Sequence, residues 1–201
     1  LQPTVGNMYI EGNHEKEYNL LRQITFIFFL FSSFAATSLF ALMTPFVADV
    51  WLNADYGLGN NIIIWCVINF FMLTMGFPLS MTMGVTGLFQ KERNLSIVVA
   101  VTNMVLSLAL VIPFGIPGVL FGTFASYMVQ ITYRVRVLIT KYMQKSCKRY
   151  VCDLLEYVIV TVTEVIVVFL VKQHIYRNDS FMSFVTLMVI CVMVPNGLNL
   201  L

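Results

Sequence analysis

Charge is scarce in this chain. Asp, Glu, Lys and Arg make up 11% of its 201 residues, against about 25% in an ordinary soluble domain. The net charge of +2 is too small to suggest nucleic-acid binding, which needs a concentrated basic face. Cysteine is sparse and scattered. Of Cys66, Cys147, Cys152 and Cys191, two fall inside apolar runs and the other two are spaced like no zinc site, so all four read as reduced thiols. No glycine-rich phosphate loop of the nucleotide-binding type occurs, which leaves direct ATP use without support.

What the chain has in quantity is apolar sequence, 59% of it. Six runs approach the ~20 residues that a helix needs to cross a bilayer: Ile24–Ala48, Ile62–Leu88, Leu95–Phe114, Gly115–Val137, Leu154–Val171 and Phe181–Leu201. If they cross alternately, one side carries Lys16, Arg22, Lys91, Arg93, Arg134, Arg136, Lys141, Lys145, Lys148 and Arg149, and the other only Lys172 and Arg177. Basic residues gather on the cytoplasmic side. The expectation is therefore an all-α polytopic transmembrane bundle of about six spans, with residues 1–22, 90–94 and 138–153 in the cytoplasm.

Organisation follows from these runs. Residues 1–23 read as a cytoplasmic connection and 24–137 as a four-helix core. Residues 138–153 read as a basic cytoplasmic loop and 154–201 as a terminal hairpin. Val135, Val137, Leu138, Ile139, Tyr142 and Met143 alternate with the charges there, a pattern suited to an interfacial amphipathic stretch. Asp49–Asn61, with Trp51 and Tyr56, and Lys172–Ser180 read as outside loops. The chain opens on Leu1-Gln2-Pro3 and stops inside a span, so a fragment of a longer transporter-like chain is expected.

In lipid, helices associate through small residues and interhelical hydrogen bonds. Gly118, Gly122, Ser126, Gln130 and Arg134 recur every four residues on one helix face. Ser96, Ala100, Asn103 and Ser107 form a second stripe, Ser33, Thr37, Ala41 and Thr44 a third, and Asn69, Gly76, Ser80 and Gly84 a fourth. Two readings stand. The stripes are packing faces, or they line a hydrated path in which Asn103, Ser107 and Gln130 meet a polar substrate. Arg134, closing its stripe, either anchors to lipid headgroups or receives a phosphate, which guanidinium binds bidentately.

Glu164 is a carboxylate deep in a span, where a charge costs at least ~2.5–3.5 kcal/mol. It reads either as an ion-coupling group or as a packed, protonated or paired one. Gly76 and Pro78 sit mid-span, and proline leaves a carbonyl that neighbours or water must satisfy. His14 and His174 lie on opposite sides and cannot meet. Asp49, Asp55, His174 and Asp179 form no recognisable catalytic set, so neither an enzyme, a metal nor a cofactor is expected.

Three stretches resemble the C-terminal half of bacterial polysaccharide flippases, repeat-unit transporters of the multidrug/oligosaccharidyl-lipid/polysaccharide exporter superfamily. They are Pro3-Thr-Val-Gly6-Asn7 with Glu15-Lys16-Glu17-Tyr18, then Pro45-Phe46 with Trp51-Leu52-Asn53 and Tyr56. The third comprises Thr86-Gly87-Leu88-Phe89, Asn103 to Ser107, and Gly115-Ile-Pro-Gly118 through Gly122-Thr123 and Ser126. The resemblance covers about residues 1–170. It implies the C-terminal lobe of a two-lobed, alternating-access transporter in a bacterial cell membrane, moving a polyprenyl-pyrophosphate-linked oligosaccharide to the outer leaflet. It also implies membrane lipids and other polysaccharide-assembly proteins as partners. The family's cationic cavity residues lie largely in helices absent here, and none transfers by position. A drug exporter of the same superfamily, with acidic cavity groups, and an integral-membrane enzyme of polysaccharide assembly are the alternatives.

Overall fold

The computed structural model describes residues 13–51, 59–175 and 181–198, and every regular element among them is helical. Six α-helices follow in order: α1 (His14–Pro45), α2 (Asn60–Val85), α3 (Phe89–Phe114), α4 (Ile116–Val135), α5 (Cys147–Ile175) and α6 (Phe181–Leu198). α1 and α4 run on into π-helical turns, Phe46–Trp51 and Arg136–Tyr142. Four helical segments are long and apolar enough to cross a membrane: His14–Pro45, Asn60–Val85, Phe89–Phe114 and Cys147–Gln173. In α3 only 6% of the most apolar window is buried inside the protein, so its side chains are dressed for lipid. The chain is an all-helical membrane protein.

α4 and α6 are shorter, at 20 and 18 residues. Twenty residues still rise about 30 Å, a bilayer's hydrocarbon thickness. Gly118, Gly122, Thr123, Ser126 and Gln130 dilute the apolar character of α4.

The connections differ from those expected. α1 starts ten residues before Ile24, because Asn13 caps it: its Oδ1 accepts the N–H groups of Glu15 and Lys16 at 3.1 and 3.2 Å. Glu15 and Glu17 in the first turn suit the positive helix end. Gln90–Asn94, expected as a turn, lies inside α3. The chain reverses at Thr86–Leu88 instead, where Gly87 takes φ +73° and Leu88 N–H bonds Met83 O at 3.1 Å. That is a Schellman stop, which needs glycine.

The expected basic loop 138–153 is also mostly helical. A π-helical turn and the start of α5 leave a four-residue link, Met143–Ser146, with Gln144 at φ +53°. Val137, Leu138, Ile139 and Met143 are buried, so these apolar residues pack inside the protein rather than against headgroups. α3 and α4 are separated by Gly115 alone, at φ +62°.

The chain divides into two compact units. The first gathers Leu1–Phe29 and Met72–Asp153; the second gathers Leu30–Phe71 and Leu154–Leu201. Residues 154–201, expected as a separate hairpin, thus cluster with 30–71. In the first unit Glu15 pairs with Lys145 and Arg22 with Asp153. In the second Thr37 bonds Glu164, and Lys172 bonds Ala41. Within each unit the partner numbers rise together, so α1 and α5 run parallel. In the first unit, α3 and α4 are antiparallel, since Asn103 meets Thr123 while Leu110 meets Gly118.

Candidate functional site

In the first unit, the last turn of α4 brings Arg134 into a polar cluster built from three helices. Its side chain is 7% exposed. Nε donates to Glu92 Oε2 at 3.2 Å, and Nη2 forms an ion pair with Glu92 Oε1. Nη2 also donates to Ser80 Oγ at 3.2 Å and Nη1 to Gly76 O at 3.3 Å. Ser80 in turn donates to Glu92 Oε1 at 3.2 Å. Gly76 lies directly against the guanidinium: a Cβ there would meet Arg134 Nη1 at 3.6 Å, an ordinary contact. The guanidinium fork is thus committed to α2 and α3, close to the Pro78 break, and its charge is met by Glu92.

Asn103 and Ser107 lie where α3 meets α4. Ser107 Oγ donates to Asn103 Oδ1 at 2.8 Å, and Asn103 Nδ2 reaches Thr123 Oγ1 at 3.5 Å. The two glycines of α4 are the contact. A Cβ on Gly118 would sit 2.2 Å from Leu110 O, and one on Gly122 would sit 2.7 Å from Ser107 Oγ. No larger residue fits without moving the backbone. The small-residue stripe of α4 is therefore a packing face, and the Asn103–Ser107–Thr123 bonds tie the pair that the glycines bring together. Gln130 is half-buried one turn before Arg134. Ser96 and Ala100, on the expected α3 stripe, are exposed.

In the second unit, Glu164 is fully buried and accepts the Thr37 hydroxyl at 3.4 Å. Two turns on, Lys172 Nζ donates to Ala41 O at 2.8 Å. That carbonyl is the one an intact helix would bond to the N–H of residue 45, and residue 45 is proline. The lysine therefore supplies the donor that Pro45 lacks. Val168 lies between Glu164 and Lys172 and joins Ala41, Leu187 and Cys191 in a buried cluster. Beside Lys172 a cavity of about 270 Å³ opens among α1, α2 and α5, with Phe40, Thr44, Asn60, Ile63 and Phe169 also in its walls.

Known proteins offer no guide here. No family model, no curated protein and no solved structure matches the chain.

The sequence reading named Asn103, Ser107, Gln130, Arg134 and Glu164. Asn103 and Ser107 come together, while Arg134 belongs to a different cluster and Glu164 to the other unit. Glu92 and Asp153 are not among the residues the sequence singles out, and Ser80 stands there only as a member of the α2 stripe. Glu92 was hidden by its setting in Gln90–Asn94, which reads as a charged loop. The signal was a carboxylate one turn past a glycine stop, on the same side of the membrane as the arginine closing the α4 stripe. Tyr56, Asp55 and Asp179 lie outside the described residues, as does the Pro3–Asn7 segment. Among the described residues no group of three or more His, Cys, Asp or Glu is placed to hold a metal.

Proposed function

We propose that this chain is part of a membrane transporter that moves a lipid-linked oligosaccharide from the inner to the outer leaflet. The observation that carries the reading is a coincidence of residues. Those on which the flippase resemblance rests are the ones the fold uses to build its tightest feature: Gly87 stops α2, Gly115 joins α3 to α4, Gly118 and Gly122 set their contact, and Asn103, Ser107 and Thr123 bond across it.

Sidedness supports the same reading. α1 and α5 run parallel, so the chain between them must cross an odd number of times. α4 then crosses as well, despite its weaker apolar character, and α6 returns as a sixth span. The start of α1, the α2–α3 turn and the α4–α5 link fall on one side, and ten of the twelve basic residues fall there with them, marking the cytoplasm. A pyrophosphate and several sugars cannot cross hydrocarbon without losing their water at prohibitive cost, so such a substrate needs a protein-lined polar path. Gln130, on the cytoplasmic half of α4, is the residue proposed to face it. Arg134 is a structural clamp in this scheme, and Glu164 is modulatory.

Glu164 also supports a second reading, a cation-coupled exporter of small molecules, because a buried carboxylate in a span is the group such coupling uses. One experiment separates them. In a strain lacking its own flippase, the full-length protein restores surface polysaccharide and Glu164→Gln restores it equally. Absence of polysaccharide, with resistance to cationic dyes that Glu164→Gln abolishes, overturns the first reading for the second.

A further inference from the structure

The first unit is strongly basic at one end. Its stretches Leu1–Phe29 and Met72–Asp153 contain ten of the chain's twelve Lys and Arg against five Asp and Glu. Three ion pairs gather the starts of α1, α3 and α5 and the end of α4 there: Glu15 with Lys145, Arg22 with Asp153 and Arg134 with Glu92. Other basic residues of this end stay outside those pairs. Lys91, Arg93, Arg136, Lys141 and Lys148 are all exposed, and none forms an ion pair among the described residues. The last three ride on packed chain. Val137, Leu138, Ile139 and Met143 are buried between Arg136 and Lys148, and just beyond them the Tyr150 hydroxyl meets Thr25 Oγ1 at 3.0 Å.

Exposed apolar rows begin at two of these cations. Along α3, Arg93 is followed at three- and four-residue steps by Ile97, Val101, Met104 and Leu108, which are 51–63% exposed. On α4, Tyr133 and Val129 precede Arg136 at the same steps and are exposed too. Such steps keep each row on one helix face. A cation at the foot of an apolar row matches one phospholipid, headgroup at the base and hydrocarbon along the helix. We propose that this end of the first unit binds anionic phospholipids, with phosphates at the five exposed bases and acyl chains along the rows of α3 and α4. Charge decides the headgroup, because uncancelled Lys and Arg at the bilayer surface favour an anionic lipid and Arg takes phosphate bidentately. The apolar rows decide for a lipid over a soluble anion, which would leave them unused. The site does not depend on the transport reading, since lipid retention is measured without transport.

The test uses the full-length protein in nanodiscs of phosphatidylcholine and phosphatidylglycerol, extracted and examined by native mass spectrometry for retained lipid. The wild type retains phosphatidylglycerol in preference to phosphatidylcholine. Arg93→Gln and Arg136→Gln each lower that preference roughly five-fold, the worth of one basic residue at an anionic surface. Glu15→Gln combined with Lys145→Gln removes an exposed matched pair and no net charge, and leaves the preference as it was. No preference in the wild type, or an unchanged one in both arginine variants, overturns the proposal. So does an equal loss in the matched-pair variant, which traces retention to the fold of this end and not to its uncancelled charge. Selective retention of added polyprenyl phosphate over phosphatidylglycerol overturns it as well and assigns the bases to a carrier lipid.

Discussion

Each unit bonds a basic side chain to a backbone carbonyl beside a proline, and the two do so with opposite electrostatics. In the first, Arg134 reaches Gly76 O near Pro78 and is matched by Glu92. In the second, Lys172 reaches Ala41 O, freed by Pro45, and the buried carboxylate of the same helix, Glu164, stands two turns away beside Thr37. Eight residues at 1.5 Å each put those two backbone positions about 12 Å apart. The first arrangement cancels its charges on the spot and fixes three helices. The second sets an acidic and a basic residue two turns apart on one helix, and bonds them to Thr37 and to the Ala41 carbonyl of α1. A matched pair clamps three helices; the separated residues tie α5 to α1 at two points instead.

The largest effect that tests this contrast is loss of the clamp. Arg134→Leu strands Glu92 and Ser80 and should cost about 3–5 kcal/mol, as breaking a buried pair does. It should nearly abolish the folded fraction in a thermal challenge followed by fluorescence-detected size exclusion. Arg134→Leu with Glu92→Leu should recover part of it. Equal loss in the double variant would show that packing, not charge matching, holds the first unit.

Next in size is Gly118→Ala, whose Cβ would meet Leu110 O at 2.2 Å. Overpacking costs ~1–3 kcal/mol, and the same assay should show a clear fall in midpoint. Gly84→Ala, whose Cβ meets nothing within 4 Å, should be neutral. A neutral Gly118→Ala would separate α3 from α4. The smallest effect belongs to the second unit. Glu164→Gln keeps both the shape and an acceptor for Thr37, so the folded state should change by less than about 1 kcal/mol. A fall as large as that of Arg134→Leu would mean that the second unit is a clamp too.

The parts of this fold legible in the sequence were those set by local rules. Apolar run length gave the helices, and the four-residue glycine step of α4 gave its packing face. What sequence hid was tertiary choice. Charges at Lys91–Arg93 look alike in a loop and in a first helical turn, and only the approach of Arg134 separates them. The apolar residues from Val137 to Met143 alternate with charges as an interfacial helix would, yet a π-helical turn carries them into the interior. Lys172 looked like a solitary residue in an outside loop, because nothing in its neighbourhood announces that Pro45, some 130 positions earlier, leaves a carbonyl for it.

The single-residue joint at Gly115 also bears on how the chain enters the membrane. α4 emerges from the ribosome directly behind α3, the more apolar of the two, and its hydroxyls and amide are costly to expose to hydrocarbon alone. With one glycine between them, the second helix can fold back on the first as soon as it is made, and Ser107 and Asn103 are waiting for Val119 O and Thr123. The pair then partitions as one body, its polar groups already turned inward. Lengthening the joint would uncouple that timing, leaving α4 to linger in the translocation channel although every residue of its final contact is intact.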